Sequence, residues 1–181
     1  MKRIMIVGPS GAGKSYFSKL LSEKLNISLY HLDNIFWNKD KTHISREEFD
    51  VRLNEIVNKD SWIIDGDYSR TYEIRMKSCD TIIFLDYPLE FCLKSVEDRI
   101  GKKRDDIPWV ENEFDPEFRN WIINWYKDNH PYLMDLLDKY KNKNIIIFKN
   151  RDVSKKFLNN LWYNIKLRCD YDNWWNKKWA L

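Results

Sequence analysis

Short apolar runs alternate along this chain with longer stretches of helical periodicity. Each run is the length of one buried strand, and several of them end in a polar residue. The spacing predicts five strands, over residues 4–7, 28–32, 62–64, 81–85 and 144–148. Strands that alternate with helices favour a parallel sheet with crossover helices on both faces. The sequence therefore predicts an α/β fold that binds its ligands at the carboxyl ends of the strands.

Amphipathic patterns and capping signals define the helices between these strands. Residues 16–25 carry an apolar stripe, and a capping box at residues 45–48 precedes a helix to about Val57. Pro88 marks the start of a helix to about Ile100. A long helical stretch then ends near Tyr140, either continuous or in two pieces around Pro131. A last helix is expected from Val153 onward.

The first apolar run leads into a glycine-rich loop, Gly8-Pro9-Ser10-Gly11-Ala12-Gly13-Lys14-Ser15, which fits the pattern G-x-x-x-x-G-K-[ST]. Between a strand and a helix, this pattern is the phosphate-binding loop, or P-loop. Its glycines let backbone N–H groups point at an anion, and the helix N-terminus adds a positive end. Lys14 is predicted to reach the β- and γ-phosphates, and the Ser15 hydroxyl to ligate Mg²⁺. We expect the loop and the adjacent Tyr16 to bind a nucleoside triphosphate with Mg²⁺, with a chance glycine-rich turn as the alternative.

Length and composition narrow the class of protein. The 181 residues suffice for one domain, which we expect over residues 1–165 and followed by a Trp-rich tail at residues 166–181. Three isolated cysteines and the absence of a signal peptide favour a cytoplasmic protein. The net charge of +3 gives no indication of a nucleic-acid partner, and no apolar run has the length of a membrane span.

Aspartates that follow three of the predicted strands are candidate functional groups. Asp65 closes the third strand, where a P-loop protein holds a second magnesium anchor; a turn formed with Gly66 is the alternative. Asp33 follows the second strand and should face the phosphates across the cleft, where it can accept the proton of an attacking hydroxyl. A helix cap or turn is its alternative role. For Asp86 the sequence supports two roles equally, a contact with the metal and the shaping of the turn before Pro88.

The densest basic run, residues 99–104, predicts a mobile lid over about residues 99–115. Phosphoryl transfer spreads negative charge over three oxygens, so Arg99 and Arg104 are expected to close on the transferring group. The alternative is a solvated helix end whose cations complement the helix dipole. Arg70 and Arg75 are candidates for stabilising the negative charge of the transferring group from the side of the site opposite the lid.

The order of these motifs resembles that of the nucleoside and nucleotide kinases among the P-loop proteins. Residues 65–71 resemble the Asp-Gly-Phe-Pro-Arg-Thr segment of adenylate kinases, and Arg104-Asp105-Asp106 resembles the Arg-x-Asp-Asp of their lid. A closer resemblance is to the adenylate-kinase-related family called FlaR-type or DNA topology modulation proteins. It is carried by residues 31–37, 62–68, 80–88, 104–105 and 118–122. Asp33 also resembles the acceptor-side aspartate of shikimate- and gluconate-type kinases.

These resemblances imply an adenylate-kinase-like fold with a short helical lid, binding of ATP and Mg²⁺, and kinase activity. The segment between Asp33 and Ser45 is short for a large nucleotide-binding subdomain, which leaves room for a small acceptor. We therefore expect a phosphotransferase that moves the γ-phosphoryl group to a nucleotide, a nucleoside or a hydroxyl metabolite. A nucleotide-gated regulator related to DNA topology is the alternative. The Trp-rich tail is expected to pack back on the domain, with a dimer, partner or membrane contact as alternatives.

Overall fold

Residues 1–161, which a computed structural model describes, contain five strands in one parallel sheet. The strands are β1 (Arg3–Val7), β2 (Leu29–His31), β3 (Trp62–Asp65), β4 (Thr81–Leu85) and β5 (Asn144–Phe148). Their order in the sheet is β2-β3-β1-β4-β5, so the glycine-rich loop leaves the central strand. The predicted α/β fold with a parallel five-stranded sheet is confirmed.

Helices connect the strands and cover both faces of the sheet. They are α1 (Lys14–Leu25), α2 (Leu32–Phe36), α3 (Arg46–Val57), α4 (Tyr72–Ser78), α5 (Leu89–Glu97) and α6 (Pro116–Lys139), with a 3-10 turn at Ser69–Thr71. A further helix, α7, covers residues 151–161. The predicted cap of α3 is present, because the Ser45 hydroxyl accepts the Glu48 N–H at 3.1 Å. Within the described part of the chain, no helix is both long enough and apolar enough to cross a membrane.

Each face of the sheet has its own apolar core, because successive side chains of a strand point to opposite faces. In β1, Met5 and Val7 belong to the core formed with α3, α4 and α6, whereas Ile4 and Ile6 belong to the core formed with α1, α5 and α7. All four side chains are fully buried. A sheet covered on both faces therefore explains why its strands are almost continuously apolar in the sequence.

At two places the local structure differs from the sequence-based expectation, and at another, in α6, it decides between two stated alternatives. β2 ends at His31 and Leu32 begins α2, so Asp33 lies on a short helix rather than just after a strand. α6 continues through Pro131. Proline costs this helix one backbone hydrogen bond, but Trp125 before it and Leu133 after it are both buried in the same core and keep the helix on the sheet.

The second difference concerns the lid segment (residues 99–115), which is a loop rather than a short helical lid. Gly101 adopts a left-handed backbone conformation with φ of 74°, which ends the preceding helical turn. The loop is held by ion pairs among Arg99, Arg104, Asp106 and Glu111 rather than by the backbone hydrogen bonds of a helix. The Trp-rich tail lies outside the described residues.

Arg75 is a fully buried cation that holds the loop after β3. Its guanidinium donates to the carbonyl oxygens of Gly66 at 2.8 Å and Asp67 at 2.7 Å, and to the Thr71 hydroxyl at 3.1 Å. Burial lowers the pKa of Arg75 to about 10, so it stays charged at neutral pH. Arg75 therefore stabilises the loop after β3. It does not contact the charge of a ligand, the role for which the sequence had made it a candidate.

We expect Arg75→Met to lower the free energy of unfolding by about 3 kcal/mol, because several buried carbonyl groups lose their donor. Equilibrium unfolding in urea measures this change. Arg70→Met is the control, since Arg70 forms an exposed ion pair with Asp50 and its loss should cost less than about 1 kcal/mol. Equal effects of the two substitutions would contradict the structural role of Arg75.

Candidate active site

The glycine-rich loop curls tightly against its neighbours at the carboxyl end of β1. Gly11 has φ of 87°, and a Cβ atom there would lie 2.1 Å from the carbonyl oxygen of Cys92. Only glycine fits this position, because both the backbone conformation and the space exclude a side chain. α1 begins at Lys14, so its N-terminus opens onto the loop. The loop is thus built as an anion site.

Lys14 lies inside the curl of the loop. Its ammonium group donates to the carbonyl oxygens of Gly8 at 2.8 Å and Pro9 at 3.0 Å. Its positive charge also acts on the Asp33 carboxyl and favours a lower pKa there, whereas burial and neighbouring carboxylates raise the pKa of Asp33. Lys14 and Asp33 therefore belong to one site.

Ser15, the predicted magnesium ligand, contacts the lid segment. Its hydroxyl donates to the Asp106 carboxylate at 2.5 Å. Arg104 donates to both oxygens of Asp106, at 2.9 and 2.5 Å. Burial alone would raise the pKa of Asp106, but the contacts with Arg104 and Ser15 hold it below its ordinary value. Asp106 is therefore an ionised carboxylate in contact with the P-loop.

Asp65, the other predicted magnesium anchor, has partners on β2 and α1. It accepts a hydrogen bond from the Ser18 hydroxyl at 2.7 Å and one from His31 Nδ1 at 3.0 Å. Burial would lower the pKa of His31, but the bond to Asp65 and the charges around it raise it. Asp65 thus lies at the end of β3 as predicted, in a partly buried hydrogen-bonded pair with His31.

Asp33, the predicted acceptor-side carboxylate, lies within the cleft. Its Oδ1 accepts a hydrogen bond from the Tyr68 hydroxyl at 2.8 Å. Burial raises the pKa of Asp33, and the negative charges of Asp65 and Asp106 add to this shift. The Tyr68 bond and the Lys14 charge act in the opposite direction. Asp33 is therefore a carboxylate with increased affinity for a proton, close to the P-loop cation.

The lid arginines form an ion-paired network rather than a solvated helix end. Arg99 donates to Glu111 at 2.9 and 3.1 Å, and Arg104 donates to the same carboxylate at 2.9 Å. Burial and the charge of Arg104 lower the pKa of Arg99. Of the two arginines, Arg104 is linked to the P-loop through a single carboxylate, Asp106.

The lid segment also contacts the element that carries Asp33. The Asn34 side chain donates to the carbonyl oxygen of Asp105 at 2.8 Å, and the Trp37 and Trp109 rings meet edge to face with centroids 5.8 Å apart. On the other side, Lys19 of α1 pairs with the Asp105 carboxylate at 2.6 Å. The segment therefore bridges the P-loop helix and the acceptor-side helix.

Two further residues predicted at this edge of the sheet are Asp86 and Tyr16, and both contact other side chains. Asp86 accepts from His130 Nε2 at 3.1 Å and also contacts the Lys149 ammonium group. Tyr16 is 54% exposed, with the Arg151 guanidinium 5.7 Å from its ring centroid. A shallow cavity beside Tyr16 is lined by residues that include Gly13, Phe17, Tyr87, Arg151 and Ser154.

Sequence reasoning missed Asp106 and Tyr68, the direct partners of Ser15 and Asp33. Both lie in segments that the resemblance to adenylate kinases had singled out, but their partners are 91 and 35 residues away in the chain. The run Arg104-Asp105-Asp106 was the available signal. It does not by itself say which of the two aspartates faces the P-loop.

The oxygen-bearing side chains present are suited to Mg²⁺. The Ser15 hydroxyl and the nearby carboxylate of Asp106 are hard oxygen donors of the kind that this ion prefers. Among the described residues, no group of three or more His, Cys, Asp or Glu side chains forms a complete metal cage. This composition agrees with a magnesium ion that also uses nucleotide phosphates and water as ligands.

Comparisons with known proteins find kinases, although no protein-family model matches the chain. A shikimate kinase of Flavobacterium psychrophilum is 24% identical over 158 residues, which cover 77% of this chain and 92% of that protein. A shikimate kinase of Aquifex aeolicus is 31% identical over 112 residues, which cover 53% of this chain and 66% of that protein. The chain is a P-loop kinase.

This P-loop kinase also shares its fold with a solved shikimate kinase. The structure of that enzyme from Acinetobacter baumannii in complex with shikimate aligns with a TM-score of 0.57 and 20% identity, covering 91% of this chain and 94% of the other. That likeness concerns the fold, whereas the kinase assignment made from the sequence is confirmed by the two relatives found by sequence. The relatives are shikimate kinases, and the FlaR-type assignment stays a prediction.

Proposed function

We propose that this kinase transfers the γ-phosphoryl group of ATP to a hydroxyl group of a small metabolite. The observation that supports this most directly is the pairing of two features in one cleft. The P-loop, with Lys14 and Ser15, faces a partly buried carboxylate, Asp33, whose pKa is raised and whose position is fixed by Tyr68. A hydroxyl must lose a proton as it attacks phosphorus, and Asp33 is the group that takes it.

Each residue of the cleft has a distinct task in this reaction. The loop N–H groups and Lys14 bind the phosphates, and Tyr16 with Arg151 lines the cavity that receives the base. Mg²⁺, held through Ser15 with Asp65 nearby, would neutralise charge on the β- and γ-phosphate oxygens. Arg99 and Arg104 in the lid supply positive charge to the transferring group and exclude water. Asp33 orients the acceptor hydroxyl and removes its proton.

The charges around Asp33 bear on the kind of acceptor group. Asp33 is itself an anion when it acts as the base, and Asp65 and Asp106 add negative charge, whereas Lys14, the larger charge acting on Asp33, is directed to the nucleotide phosphates in this proposal. A phosphate acceptor would therefore be repelled more than a hydroxyl. The proteins that the chain resembles in sequence are named for shikimate, which carries hydroxyl groups on a ring. A cyclic or open-chain polyol therefore suits the cleft better than a nucleoside monophosphate.

The test is the release of ADP from Mg·ATP across a panel of acceptors. The panel contains shikimate, gluconate, neutral sugars and polyols, nucleosides and nucleoside monophosphates, and mass spectrometry identifies the phosphorylated product. We expect a response to a hydroxyl compound and none to the monophosphates. Binding of ATP without transfer to any member would instead support the nucleotide-gated regulator.

A further inference from the structure

We propose that Asp106 positions the magnesium ion by orienting the Ser15 hydroxyl, so that the metal is fixed in place when the lid segment lies on the P-loop. Asp106 would be a positioning residue that acts through Ser15. The inference rests on the proposed function, since it concerns the metal of the bound nucleotide. Its test, however, needs no phosphoryl transfer.

The hydrogen bond between Ser15 and Asp106 is the first observation that carries this inference. A serine hydroxyl has one hydrogen and two lone pairs on its oxygen. Because Asp106 accepts that hydrogen at 2.5 Å, the lone pairs remain for a cation. A hydroxyl without such an acceptor can rotate its hydrogen toward the metal, which would weaken coordination. Asp106 therefore fixes the orientation in which Ser15 is a metal ligand.

The burial of Asp106 is the second observation. The residue is 4% exposed, and an ionised carboxylate at such a site needs strong partners. Arg104 supplies two hydrogen bonds, and Ser15 supplies another. A lid aspartate that served only to shield the cleft would not require a hydrogen bond to the P-loop hydroxyl.

The surroundings of Asp65 are the third observation. Asp65 is the carboxylate that the sequence pattern assigned to the metal, yet its two oxygens accept from Ser18 and His31. The carboxylate that reaches Ser15 comes from the lid segment, 91 residues further along the chain. Metal placement and lid closure are thereby coupled in this chain, because a single side chain takes part in both.

The experiment measures metal binding to the complex of the full chain with ADP. Mn²⁺ replaces Mg²⁺, and the electron paramagnetic resonance signal of free Mn²⁺ gives the dissociation constant of the metal. Calorimetry gives the affinity for ADP without metal. The variants are Asp106→Asn, Ser15→Ala and the double variant. Asp105→Asn is the matched control, because Asp105 is the neighbouring lid carboxylate, exposed and paired with Lys19.

We expect Asp106→Asn to weaken metal binding by about 10- to 100-fold, the usual effect of removing a group that orients a metal ligand. The affinity for metal-free ADP should be unchanged, which also shows that the variant folds. In the Ser15→Ala background the same substitution should have little further effect, because the hydroxyl it orients is absent. Asp105→Asn should leave metal binding unchanged.

Three results would overturn the inference. Equal losses of metal affinity and metal-free ADP affinity in Asp106→Asn would mean that Asp106 only holds the lid. Full additivity with Ser15→Ala would mean that it acts independently of the hydroxyl. Unaltered metal binding in Asp106→Asn would remove it from the site. If the unaltered protein binds metal with ADP but transfers no phosphoryl group to any acceptor, the proposed function fails and this inference stands.

Discussion

Replacing Lys14 by alanine is expected to lower the turnover of phosphoryl transfer by about 10³-fold, the upper range for loss of one donor that stabilises transition-state charge. Lys14 is held within the P-loop by the carbonyl oxygens of Gly8 and Pro9. Its ammonium group has only to turn from these carbonyls to reach phosphate oxygens. Turnover with the best acceptor at saturating ATP measures the effect.

Lys19→Ala is the control for Lys14→Ala, because Lys19 lies on the same helix but is exposed and paired with Asp105. An exposed ion pair contributes less than about 1 kcal/mol, so turnover should change little. Comparable losses in the two variants would show that the effect comes from net positive charge near the cleft. In that case Lys14 would have no specific role.

The strand-loop-helix geometry of the P-loop could be predicted from the sequence because it is local. The glycines, the lysine and the N-terminus of the following helix all lie within residues 8–15 and their flanks. The chain also encodes the sheet locally, since each buried strand is one apolar run. Such features depend on neighbouring residues and need no knowledge of which distant segments meet.

The contacts across the cleft depend on tertiary structure and were not predictable in the same way. Arg70 and Arg75 are five residues apart and equivalent as sequence, yet one forms an exposed pair with Asp50 and the other is fully buried on backbone carbonyls. Asp105 and Asp106 are likewise adjacent, but only the second contacts Ser15 among the described residues. Which side of a loop faces the site is decided by its packing.

The structure places Asp33 in the cleft, as expected from the sequence, although its local structure differs from the expected one. Its role as the base stays a prediction. The sequence placed Asp33 just after a strand, whereas the structure places it on the first turn of α2. The carboxylate nevertheless reaches the cleft, because β2 runs parallel to β3 and β1 and ends at the same edge of the sheet as the P-loop, and α2 begins immediately after it. The end of a parallel strand is thus a more reliable guide to a site than the exact boundary of the element.

Asp33→Asn is expected to reduce transfer by about 10²- to 10⁴-fold, the range associated with loss of a general base. The asparagine oxygen can still accept from Tyr68, so the cleft should keep its shape. ATP affinity should be retained, because Asp33 lies outside the loop that binds the phosphates. Single-turnover product formation and calorimetric ATP binding measure the two effects. Undiminished transfer would remove Asp33 from the mechanism.

The pH dependence of the same reaction separates a base from a residue that merely orients the acceptor. Burial and nearby carboxylates raise the pKa of Asp33, and a base works only when ionised, so kcat/KM should fall on the acid side at a pH above the ordinary aspartate range. Tyr68→Phe removes a hydrogen bond that favours the ionised form, so this decline should move to still higher pH. A shift in the opposite direction would contradict the role of Tyr68, and a profile without an acid-side decline would make Asp33 a positioning residue rather than the base.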